Sequence, residues 1–92
     1  MEFLVRSELA APPDVPPERL RELTDAEARR GAELRDQGAI VRIWRVPGRR
    51  GSVAIYQARD ATHLHELLAS LPMWPWLSCT VEPLARHYLE EG

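Results

Sequence analysis

Prolines at positions 12, 13, 16 and 17 cut the first third of this chain into two elements that cannot merge into one. Each proline locks φ and removes a backbone donor, so the run excludes both a helix interior and a central strand. Ahead of it, Phe3 to Leu9 alternates, with Phe3, Val5, Ser7 and Leu9 on one face and Leu4, Arg6 and Glu8 on the other. That period of two is a strand. Behind it, Pro17 suits the first position of a helix, where its missing N–H is no loss. Glu18 to Gln37 is rich in Arg, Glu, Ala and Leu, all good helix formers, and Gly38 supplies the stop.

The remainder continues this alternation of elements. Ala39 to Val46 is a β-branched second strand, Pro47–Gly51 a turn, and Ser52 to Ala58 a third strand, the pair forming an antiparallel hairpin. Asp60 is placed to cap a short helix over Thr62 to Leu71, with Leu64, Leu67, Leu68 and Leu71 on one face. Pro72 and Pro75 end it, and Trp76 to Glu82 alternates as a fourth strand. Leu84 to His87 and an acidic tail follow. Two strand–helix–strand crossings fused by a hairpin give an α+β fold. It is a ferredoxin-like β-α-β-β-α-β unit with a four-stranded antiparallel sheet. No repeat or linker divides residues 1–92, so a single domain is expected. Two helices cover one sheet face only, and the bare face calls for a second copy, so a homo-oligomer is expected.

The same small size makes a lone subunit marginal. Cys79 is the only cysteine, so no disulfide within the chain can compensate. All 12 basic residues are arginine, which excludes Schiff-base chemistry on lysine. A net charge of −2 favours neither nucleic acid nor an anionic membrane. No apolar run approaches the ~20 residues that span a bilayer, and the N-terminus lacks a signal-peptide layout. A cytoplasmic protein is expected. His63, His65 and His87 form no ligand set, since residues two apart on a helix diverge, so no metal is expected.

One residue interrupts the first helix's apolar stripe. At about 100° per residue, Leu20, Leu23, Gly31 and Leu34 share a face, and Glu27 falls in its middle. A carboxylate there is costly unless paired or used, and burial raises its pKa toward the range of a general base. The alternatives are an ion pair with an arginine, or a helix rotated so that Glu27 reaches the edge. In the second strand Arg42 and Trp44 share one face, Ile43 and Arg45 the other. An inward arginine is an anion clamp; an outward one reaches solvent or pairs with helix acids. Trp74 and Trp76 either fill core and subunit contacts or wall a ligand pocket. Cys79 reads as a small buried strand residue.

Taken in order, several of these residues form a pattern. Met1-x-Phe3-x-Val5 is followed by Glu27, Leu34 and Gly38, then Ile43-Trp44-Arg45 and Gly48. Leu64-His65, Leu71-Pro72-x-x-Pro75 and Leu84-x-Arg86-His87 complete it. The chain resembles the muconolactone delta-isomerase family from Phe3 nearly to its end. The resemblance implies a dimeric α+β barrel built into a homodecamer. It also implies cofactor-free isomerisation of muconolactone to the enol-lactone of β-ketoadipate, in aromatic catabolism. Glu27 is then the expected base and Ser52, at the family's asparagine position, a hydrogen-bond donor. Arg45 is the expected carboxylate clamp, with Trp44, Trp74 and Trp76 as pocket walls. The chain departs from the pattern at Arg49-Arg50-Gly51-Ser52-Val53, where relatives carry a His-Tyr-Ala-Asn-Tyr type stretch. That departure keeps two alternatives open: a relative tailoring a larger cyclic natural product, or a non-catalytic barrel protein.

Overall fold

A computed structural model describes residues 1–11 and 13–90. Pro12 of the proline run and Glu91 of the acidic tail lie outside the described residues. The elements run β1 (Glu2–Leu9), α1 (Pro17–Asp36), β2 (Ile40–Arg45), β3 (Gly51–Gln57), α2 (Ala61–Ala69) and β4 (Leu77–Leu84). Single 3₁₀ turns at Trp74–Trp76 and Tyr88–Glu90 precede and follow β4. As the sequence implies, Pro17 opens α1, and Asp60 caps α2 by accepting a 2.8 Å hydrogen bond from the His63 N–H. Gly38 ends the first helical passage at φ +82°, a conformation that a β-carbon disfavours.

The sheet order is β2-β3-β1-β4, every neighbouring pair antiparallel. This is the ferredoxin-like arrangement expected from the element order. The fourth strand starts one residue later than the alternation indicates, because the tryptophans wind into the 3₁₀ turn first. It also runs on through Pro83, which an edge strand tolerates.

Directly opposed residues in antiparallel strands share a face. Phe3, Tyr56 and Ile40 therefore form one row across the sheet, and Val5, Ala54 and Ile43 the next. This face packs against Leu34 of α1 and Leu64 and Leu68 of α2 to make the core, with Leu34 fully buried. The opposite face carries Leu4, Val53, Ile55 and Trp44, with the Arg42 guanidinium 5.1 Å from the Trp44 ring centroid. Trp44 remains 45% exposed there.

A bulge governs what β2 presents to the helices. Its register shifts between Ile40 and Arg42, leaving Val41 without an opposed partner. Strict alternation from the buried Ile40 would turn Arg42 and Trp44 inward. The extra residue turns Ile43 and Arg45 inward instead. Of the two arginines, Arg45 is the one on the helix side.

Candidate active site

The row above the core is polar. Arg45 lies opposite Ser52, Ser52 opposite Ser7, and Ser7 opposite Cys79, so one polar row crosses all four strands. The Ser7 and Ser52 hydroxyls are 3.0 Å apart and hydrogen-bonded to each other. Each hydroxyl has one proton and two acceptor sites, so the pair keeps one O–H free to donate elsewhere. Neither Arg45 nor Arg50 has an ion-pair partner among the described residues, whereas Arg49 is held 2.9 Å from Glu8.

Glu27 reaches over this row from α1. It is half-buried and shares with Arg45, Ser52, Ser7, Tyr56 and Cys79 a cavity of about 340 Å³. Two small residues of α1, Ala28 and Gly31, also line that cavity. A β-carbon at Gly31 would meet nothing within 4 Å. Gly31, one turn after Glu27, thus borders open space, at the usual cost in helix propensity of about 1 kcal/mol.

The carboxylate is hydrogen-bonded, and it has no ion-pair partner among the described residues. Its Oε1 accepts a 2.8 Å hydrogen bond from the backbone N–H of Met73, at the entry to the 3₁₀ turn. Burial raises its pKa above the ordinary carboxylate value, and the Met73 bond only partly opposes this. The result is a proton acceptor held in position and ionised less readily than a surface glutamate.

The tryptophans divide. Trp44 lies on the far face of β2 yet lines the rim of a wider outer cleft that also contains Glu27, Arg45, Arg49 and Arg50. Trp74 and Trp76 line neither that cleft nor the inner cavity. Trp74 packs on the core and meets His65 edge-on at 5.6 Å. Ser7 and Tyr56 are site residues that the sequence reading missed. Ser7 was legible as the one polar residue on the inward face of β1; Tyr56 reads as ordinary core from its spacing.

Among the described residues no group of three or more His, Cys, Asp or Glu converges to hold a metal. No helix among them is long and apolar enough to cross a membrane.

Residues 1–90 match the family model for muconolactone delta-isomerase. A muconolactone delta-isomerase of Rhodococcus opacus is 33% identical, over 92% of this chain and 91% of its own length. One from Acinetobacter lwoffii is 30% identical, over 95% and 91%. A crystal structure of muconolactone isomerase superposes with a TM-score of 0.87 at 26% identity, covering 95% of this chain and 91% of that one. Sequence and fold agree over nearly the whole length, and the chain belongs to the muconolactone delta-isomerase family of intramolecular isomerases.

Proposed function

We propose that this protein is a cofactor-independent isomerase that shifts a proton on an unsaturated lactone, with Glu27 as the base. The supporting observation is the Glu27 carboxylate: half-buried, raised in pKa, and facing a cavity it shares with Arg45 and Ser52. The substrate that the family relationship favours is muconolactone, and the product the enol-lactone of β-ketoadipate. Glu27 removes an acidic C–H proton, and the electron pair delocalises through the double bond into the lactone carbonyl. The resulting dienolate is then protonated at a different carbon by the Glu27 carboxyl, whose proton can exchange with solvent in between. A carboxylate of raised pKa is matched to both halves of that transfer. Arg45 holds the substrate's free carboxylate with its planar fork, and Ser52 beside it donates a hydrogen bond.

Incubation with muconolactone in deuterated water, followed by NMR, tests the reading. Enol-lactone is expected to appear, with deuterium incorporated only at the carbons that lose or gain the proton. Absence of both turnover and exchange would remove lactone isomerisation from consideration.

A second substrate reading rests on the outer cleft of about 640 Å³, which Arg50 lines with no ion-pair partner among the described residues. That cleft suits a larger cyclic acid, as in natural-product tailoring, handled by the same proton shift.

We further infer that the subunit works as one domain within a cytoplasmic homo-oligomer. The sheet face away from the helices carries Leu4, Val53, Ile55 and the exposed Trp44, and the chain has no disulfide to stabilise it alone. Light scattering is expected to give a mass of at least two chains. A cooperatively folded species of one chain's mass would contradict this.

A further inference from the structure

The inner cavity has polar groups at both ends, and the mechanism so far uses one end. Along β3, Ser52, Ala54 and Tyr56 point the same way, toward the helices. Ser52 and Tyr56 are four residues apart, so their backbones are separated by roughly 13 Å. Ala54 between them is too small to fill the space, and all three line the cavity beneath Glu27. Ser52 lies opposite Arg45, so the carboxylate-binding groups cluster at one end. Tyr56 marks the other.

Tyr56 is only 4% exposed, and its hydroxyl has no hydrogen-bond partner among the described residues. No sealed-in polar side-chain atom is left unpaired among those residues either. The Tyr56 oxygen therefore touches the open volume of the cavity instead of being enclosed by packing. A buried phenol left unpartnered in a binding cavity is a donor awaiting an acceptor.

We propose that the Tyr56 hydroxyl donates a hydrogen bond to the lactone carbonyl oxygen and stabilises the dienolate as its charge develops. No proton moves in this contact. Glu27 takes the C–H proton and returns it, while the Tyr56 O–H stays bonded to its own oxygen throughout. The environment favours that division of labour. Burial, followed by the nearby Cys79 and Glu27, pushes the phenol up to about 12, so it remains a donor at neutral pH. The substrate class follows: an acid whose carboxylate sits at the Arg45 end and whose ring carbonyl points toward Tyr56. The inference rests on the lactone isomerase reading above.

The test compares wild type and Tyr56→Phe in the intact protein, with muconolactone as substrate. Phenylalanine keeps the ring that packs beside Phe3 and Ile40 and removes only the unpartnered oxygen. The thermal midpoint is expected to stay the same or rise, with kcat falling about 100-fold, the usual scale for losing one oxyanion donor, and KM little changed. If wild type turns over and Tyr56→Phe matches it in both kcat and KM, the inference fails while the isomerase reading stands. If wild type neither turns over nor exchanges protons, the isomerase reading fails and the inference with it. A second measurement covers poor folding of the phenylalanine variant. Fluorinated tyrosine at position 56 in a Tyr88→Phe background lowers the phenol pKa. A new alkaline limb should then enter the pH–rate profile, because the ionised phenol can no longer donate. A purely structural tyrosine would leave the profile unmoved and overturn the inference.

Discussion

Glu27→Gln is expected to lower lactone turnover by about 100-fold or more, while the thermal midpoint stays equal or rises. The amide cannot accept the substrate's proton, but its oxygen can still accept the Met73 N–H bond that the carboxylate now accepts. The substitution thus removes the base and keeps the brace. The stability side follows from the pKa direction. Burial raises Glu27 above its unfolded value, so the native state holds this proton more tightly than the unfolded one. Its contribution to stability is fully present below the unfolded pKa and is lost as pH rises through the raised folded value. At neutral pH the ionised carboxylate is therefore a net cost, which glutamine removes. The same shift sets the acid limb of kcat/KM above the pH at which a surface glutamate would titrate. Glu27→Ala separates the two roles, since it also orphans the Met73 donor. It should lose both activity and stability, by about 1–3 kcal/mol for an unpaired buried group. A glutamine variant that melts early yet still exchanges substrate protons would make Glu27 architectural and place the base elsewhere.

The backbone plan was largely legible in the sequence, and the reasons are local. Alternation in Phe3 to Leu9, the proline break, the Pro17 start, the Gly38 stop and the Asp60 cap each act within a few residues. Glu27 was legible because a charge in an apolar stripe is conspicuous in one dimension. In the site's other half Arg45 and Ser52 were named only through the family resemblance, and Ser7 and Tyr56 not at all, because their placement depends on register between distant strands. The choice between Arg42 and Arg45 turned on the unpaired Val41, and periodicity carries no sign of a bulge inside an otherwise regular strand. Ser7 acquires meaning only through its pairing with Ser52, 45 positions away. Tyr56 looks like core until the alanine beside it and the glycine on the facing helix leave its hydroxyl without a partner. The ion pair considered for Glu27 gave way to a backbone donor, Met73, whose direction a side-chain pattern cannot reveal.

Gly51 shows how closely the site and the sheet are joined, and its substitution is expected to be the most disruptive single change on the hairpin. A β-carbon at Gly51 would overlap the carbonyl oxygen of Ser7 and stand 2.7 Å from that carbonyl's carbon and 3.0 Å from the Glu8 Cα. All three are backbone atoms of β1, so no side chain can swing aside. Strand β1 or β3 would have to move just where Ser7 and Ser52 pair and where the Leu9 N–H donates to the Arg50 carbonyl at 2.7 Å. Gly51→Ala should therefore cost about 3 kcal/mol or more in urea unfolding, a large share of a small domain's stability. Turnover should fall as well, because Ser52 and the opposed Arg45 shift with the strand, and displacement of about 1 Å can cost 100-fold. Gly48 provides the control. It adopts φ +81°, yet a β-carbon there meets nothing within 4 Å. Gly48→Ala should carry only the left-handed penalty of about 1–2 kcal/mol. It lies outside the strands, so the Ser7–Ser52 pair should be kept. If Gly51→Ala unfolds at the same urea concentration as Gly48→Ala and retains wild-type turnover, the close approach of β1 to β3 is not what holds the polar row in place.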